Sequence, residues 1–312
     1  MPHNQPGGGM TMNREAALGV GAGFAVMLLF AGMLVVSRFG ATSTLTVYDM
    51  AGLRFGVAGL CTLPIILRMR WPRLKLWKML VIAMTSGAPF ALFLFGGMSF
   101  APVAHGGIVT NGAMPVIAAG IGWFVFGNRL GGWRVVGIIL IVGGVLATGW
   151  EALANGIPGQ WRGHLLFLGA AACNATFLTM VRGWGITALQ SLVIVNGVNL
   201  ALYVPLWLLV LPSNLSATPW PEIALQGAYQ GIVAAFFASI LIAHAARMLG
   251  GMRQAAIMSG APAVAVLIAI PALDEVPSAI SVVGVVVVTV GILVALGPGL
   301  LAGSASPRTA RA

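Results

Sequence analysis

Apolar residues in this chain follow neither the three-to-four spacing of a soluble amphipathic helix nor the alternation of a half-buried strand. They run on almost unbroken over 16–37, 46–67, 77–98, 102–126, 133–150, 163–181, 187–211, 223–246, 254–273 and 279–299. A helix needs about 20 apolar residues to cross the hydrocarbon, so the pattern predicts ten crossings. The runs lack the alternation of a membrane β-barrel, which leaves helices as the way to satisfy the backbone in lipid. The longest gaps are 68–76 and 211–222, too short for a soluble catalytic domain. The pattern therefore predicts an all-α integral membrane protein.

Composition agrees. Hydrophobic residues make up 59% of the 312 and charged residues 7%, against about 25% charged in soluble domains. Mean hydropathy is +0.99. Too few charges exist to coat a water-facing surface, and disorder is excluded because it requires the opposite composition. The net charge of +10 could suggest nucleic acid, but that needs a basic face. Here the cations fall between apolar runs, so no nucleic-acid partner is expected.

Their placement orients the chain. With a cytoplasmic N-terminus, 13 of the 16 Lys and Arg lie on the cytoplasmic side, and the other side keeps only Arg38 and Arg162. Arg54 lies within a span. The expectation is a multi-pass protein of the cell (inner) membrane with both termini cytoplasmic. Trp71, Trp77, Trp133 and Trp184 mark one interface, and Trp150, Trp161 and Trp220 the other. Residues 1–15 and 300–312 read as cytoplasmic tails, and no cleavable signal peptide is expected at the start. Cys61 and Cys173 sit in apolar runs, which supports neither a disulfide framework nor a metal site, and no cofactor is expected. The Gly19–Gly23 segment faintly resembles a dinucleotide loop but lies inside a span without a preceding strand, so it reads as a packing surface.

A shift of 147 residues aligns the chain with itself. Pro115 meets Pro262, Gly137 meets Gly284 and Gly144 meets Gly291, with Ala118/Ala265, Ile121/Ile268, Val135/Val282, Val136/Val283 and Leu146/Leu293 in the same register. The fourth and fifth spans thus map onto the ninth and tenth, giving five helices per half. An odd number inserts the second half upside down. The prediction is two inverted five-helix repeats, 16–150 and 163–299, joined by an external linker at 151–162. Such repeats characterise secondary transporters, with binding near the midplane.

The run Ala113-Met114-Pro115-Val116-Ile117 to Gly127-Asn128-Arg129-Leu130, followed by Gly137 and Gly144, resembles the EamA domain of the drug/metabolite transporter superfamily. A second copy reads Ala261-Pro262-Ala263-Val264 to Leu273-Asp274-Glu275, then Gly284 and Gly291, and Leu53-Arg54-Phe55 resembles the family's Arg-Phe in the second helix. Two departures stand out: Asn128 replaces the turn glutamate of the first copy, and Asp274 and Val276 flank Glu275 in the second. The resemblance implies a transporter with proton coupling as one available driving force.

Ionisable groups at membrane depth are the first site candidates. Asp49 and Arg54, five apart in the second span, read either as a structural ion pair or interfacial snorkelling, or as a gate or coupling site. His105 could line the pathway or be a satisfied interfacial histidine; His244 is a further coupling candidate, and His164 reads as solvated. Among neutral groups, Asn111 lies about 15 Å into its helix, beside Gly112 and Pro115. Ser259, Gly260 and Pro262 match it in the second copy. Asn174, Tyr229 and Gln230, with Thr85 and Ser86, complete a polar lining for substrate; interhelical hydrogen bonding is the competing role for each. Trp123, Phe90 and Met84 are expected apolar walls. A central cavity reached by Asn111, Asn174 and Ser259 is expected. The four glycines spaced by seven read as packing seams.

These readings favour a secondary transporter moving a small metabolite, amino-acid-like solute or drug, in the export direction, by alternating access, with lipid and solute as its partners and a homodimer allowed. A non-transporting scaffold would have a dry, tightly packed centre. A membrane-embedded enzyme would need His-Glu-x-x-His, Gly-x-Ser-x-Gly or paired intramembrane carboxylates, which are missing. A channel would need a ring of charges or a filter loop.

Overall fold

The computed structural model describes residues 14–69, 73–127, 131–154 and 158–297. Among them, ten helices are long and apolar enough to cross a membrane. They are α1 (Arg14–Ala41), α2 (Val47–Arg68), α3 (Leu76–Phe100), α4 (Val103–Phe126), α5 (Gly132–Ala154), α6 (Gln160–Gly183), α7 (Ala188–Leu209), α8 (Trp220–Leu249), α9 (Gly251–Leu273) and α10 (Ala279–Leu296). The hydropathy runs find all ten. α5 and α6 extend beyond their runs to Ala154 and back to Gln160, so Glu151 and Arg162 are helical rather than linker residues. α1 begins at Arg14, inside the expected 1–15 tail; the Asn128-Arg129-Leu130 turn, Arg70, Trp71, residues 1–13 and the 300–312 tail fall outside the described residues.

Helix starts follow local capping chemistry. Thr46 and Thr187 each open a helix with a reciprocal capping box, closed by Asp49 in α2 and by Gln190 in α7. These threonines are 141 residues apart, and the same offset pairs Gly56 with Gly197 and Pro64 with Pro205. The internal correspondence therefore reaches the second and seventh helices, at a different offset from the 147 of α4 and α9. Helix ends correspond as well: Gly127 closes α4 at φ 66° and Asp274 closes α9 at φ 57°, both left-handed. Asp274 is the one non-glycine with positive φ among the described residues.

Three crossings are irregular. α3 breaks at Ser86-Gly87 between Leu76–Thr85 and Ala88–Phe100. Its counterpart α8 widens into a π-helical segment over Gly227–Phe237. α9 breaks at Ser259-Gly260, whereas α4 stays helical past Pro115.

The packing is symmetric on exchanging helix n with helix n+5. α1 lies along α8 and α9, while α6 lies along α3 and α4; α2 pairs with α7, α4 with α9 and α5 with α10. The first helix of each half thus leaves its own half and packs on the third and fourth helices of the other. Contact is closest where side chains vanish. A Cβ on Gly137 would stand 2.5 Å from Ala295 N and 2.6 Å from Gly291 O, and one on Gly291 would stand 3.0 Å from Gly137 O. The seven-spaced glycines of α5 and α10 therefore face each other, as small residues do where helices associate in lipid.

Candidate functional site

Two buried polar clusters bear on function, one within the span and one where α5 ends and α4, α6 and α10 begin. The inner cluster is ordered around Arg54 on α2. Ser37 on α1 donates to Met33 O at 2.6 Å, Gln230 Nε2 on α8 donates to Ser37 Oγ at 2.9 Å, and Arg54 Nη1 donates to Gln230 Oε1 at 2.9 Å. The Ser37 proton is used on the Met33 carbonyl, so its oxygen receives the amide. The amide oxygen then faces the guanidinium, which fixes the orientation of Gln230. Arg54 is 8% exposed and Gln230 is fully buried. The π-helical segment carries Gln230 to this position and places Tyr229 against α1, where its hydroxyl donates to Leu29 O at 3.2 Å.

Asp49 is not the partner of Arg54. Its carboxylate accepts from Thr46 N and Oγ1, Trp207 Nε1, Ser213 Oγ and Asn214 N, at 2.6–3.1 Å. These five bonds tie the start of α2 to the end of α7 and the loop beyond it.

The outer cluster joins both halves. His105 Nδ1 on α4 is 2.9 Å from His164 Nε2 on α6, and His105 Nε2 is 3.0 Å from Ser281 Oγ on α10. Ser281 Oγ donates to Glu151 Oε2 on α5 at 3.2 Å and accepts from Ser278 Oγ at 3.1 Å. Donor and acceptor roles close consistently when His164 donates to His105, His105 to Ser281, and Ser281 to Glu151. The line is then a chain of four titratable or hydroxyl groups ending on a carboxylate. A cavity of about 200 Å³ reaches it, lined among others by His105, Glu151, Gln160, Glu275 and Ser281. Beside it, Arg38 Nε of α1 pairs with Glu275 Oε1 at 2.6 Å, Arg38 Nη1 donates to Met98 O, and Glu275 Oε2 accepts from Val103 N at 3.0 Å. This contact latches α1 to the α9–α10 turn over the start of α4.

The sequence-derived candidates divide accordingly. Arg54, Gln230 and Tyr229 come together around α1, and His105 anchors the outer cluster. The Asn111 side chain on α4 has no hydrogen-bond partner among the described residues, and Pro115, lacking an N–H, leaves the Asn111 carbonyl without its helical donor. Asn174 reaches the same stretch of α4, with Nδ2 3.4 Å from Met114 Sδ. Ser259 turns its hydroxyl to Ala256 O in its own helix, and its carbonyl accepts from Thr289. The cavity at the outer cluster is lined by His105 and not by Asn111, Asn174 or Ser259. His244 is exposed and joins neither cluster. Trp123, expected as a wall, is 54% exposed on the outside of α4, and Phe90 is buried core. His164, read as solvated, is buried against His105. Sequence reasoning missed Glu151, Ser281 and Ser37. Glu151 fell just past a hydropathy run, and the two serines are indistinguishable from structural hydroxyls until their partners are placed.

Residues 17–150 match the EamA-like transporter family. No curated protein matches the chain. Among solved structures, a crystal structure of a protein 19% identical superposes with a TM-score of 0.56, covering 89% of this chain and 96% of its own, which supports the ten-helix fold.

Proposed function

We propose that this multi-pass membrane protein, whose residues 17–150 match the EamA-like transporter family, works as a secondary transporter by alternating access. In this reading a small metabolite, amino-acid-like solute or drug leaves the cell through the cell (inner) membrane, with both termini cytoplasmic. The moving units are the two five-helix repeats, α1–α5 and α6–α10, joined externally between Ala154 and Gln160.

The exchange of partners between halves carries this reading. α1 grips α8 and α9 while α6 grips α3 and α4, and α3, α8 and α9 are interrupted along their length. Broken helices bend where continuous ones resist, and transporters place such breaks around the binding site. The Arg38–Glu275 latch joins α1 to the second half on the external side, so outward opening has to release it. Proton coupling is assigned to the line His164–His105–Ser281–Glu151, which spans both halves and has a cavity at its edge.

The test is uptake into proteoliposomes against a metabolite panel, with and without a pH gradient. Saturable uptake stimulated by the gradient is expected. Transport no faster than in protein-free vesicles for every solute sinks the reading.

A further inference from the structure

Arg54 is a cation inside a membrane span without a counter-ion among the described residues. Its 8% exposure places it among the buried polar residues. Among the described residues, Arg38 pairs with Glu275, and His105 Nε2 lies 3.9 Å from Glu151 Oε2; neither contact involves Arg54. A guanidinium carries five N–H donors. Here one nitrogen is used: Nη1 bonds Gln230 Oε1 at 2.9 Å and touches Met33 Sδ at 3.5 Å. Nε is fully buried with no partner, and Nη2 makes no hydrogen bond among the described residues. Burying a charge is costly unless it is paired and hydrogen-bonded. A neutral amide supplies one acceptor and no charge. Asp49, the nearest carboxylate in sequence, is committed to five donors elsewhere.

The geometry of the deficit is specific. With Nη1 held by the Gln230 relay, the edge left over is Nε–Nη2, one of the two edges that receive a carboxylate through two parallel bonds. The surroundings are a thioether, an amide and the Phe55 ring, whose centroid lies 5.9 Å from the guanidinium carbon. In such surroundings a monoanion cancels the charge of Arg54, whereas a dianion would leave a net charge in the span.

We propose that the Nε–Nη2 edge of Arg54 binds the carboxylate of the transported solute, so that the protein selects carboxylate-bearing solutes. The assignment rests on the transporter reading, and gives the solute the role of the missing counter-ion. Gln230, held by Ser37, is a positioning residue that keeps this edge free by occupying the other nitrogen.

The experiment uses the full chain, purified in detergent without anionic lipid, and follows thermal unfolding against matched acids and amides. The pairs are leucine with leucinamide, phenylalanine with phenylalaninamide, lactate with lactamide and benzoate with benzamide. At least one acid is expected to raise Tm where its amide does not. Arg54→Gln weakens that acid by at least about tenfold, the loss of a charge-assisted bond, and Arg54→Lys recovers part of it. Gln230→Glu places a carboxylate on the guanidinium from within: it abolishes acid binding with Arg54 still present and raises the Tm of the unliganded protein, which keeps the test open should Arg54→Gln not fold. The proposal is overturned if no acid exceeds its amide on the wild type, or if either variant binds acid like the wild type. Should proteoliposomes carry neutral or cationic solutes equally fast with wild type and Arg54→Gln, transport stands and the Arg54 assignment falls.

Discussion

At the scale of single residues, charge at membrane depth is either tied down or left available. Asp49 is tied down. Asp49→Ala removes a capping box and strands Trp207 Nε1 and Asn214 N, each at the cost of an unmet donor. A loss of about 3 kcal/mol or more is expected, read as a fall in Tm in detergent. Asp274 stores a small strain, because its left-handed conformation suits glycine. Its counterpart 147 residues earlier is Gly127. Asp274→Gly should stabilise by about 1 kcal/mol, seen as a rise in Tm. Glu151 ends the hydroxyl and imidazole line as its carboxylate. Glu151→Gln keeps an acceptor for Ser281 and removes the charge, so stimulation of uptake by a pH gradient should vanish while uptake without a gradient persists.

At the scale of elements, the irregular helices are held open by neighbours. Asn199 on α7 takes Ala88 N on its Oδ1 at 2.9 Å and donates to Ala83 O at 3.0 Å, bridging the break in α3. A Cβ on Gly87 would lie 2.1 Å from Asn199 Nδ2, so glycine is what admits the amide. Asn199→Ala leaves both backbone groups unpaired within the membrane. A loss of about 2 kcal/mol is expected, with faster hydrogen exchange confined to 83–92 as the local signature. Gly87 and Pro89 permit the break locally. Its splint could not be foreseen, because the partner lies 111 residues away. The α2/α7 correspondence was missed for a similar reason: connections of unequal length change the offset from 147 to 141, and an ungapped comparison loses it.

At the scale of the whole molecule, the two halves are interlocked rather than merely adjacent. α1 finds its main partners on α8 and α9, and α6 on α3 and α4. Neither half alone can bury the face of its own first helix. Expressed separately, 1–157 and 158–312 should each be degraded; co-expressed, they should purify together through a tag on one half. Stable recovery of a single half would contradict the interlocking.

The sequence by itself determined the membrane solvent, the ten crossings, the register of α4 with α9 and the glycine seam of α5 with α10. Each of these depends on length, apolarity or local stereochemistry, which belong to short stretches of chain. The tertiary structure decided which polar groups meet. It separated Asp49 from Arg54, brought His164 and Glu151 to His105, turned Trp123 outward and set Gln230 against Arg54. In lipid the outside of a helix is as apolar as the inside of the bundle. Hydrophobic patterning therefore cannot say which face of a helix looks inward, and only the packing of one helix on another does.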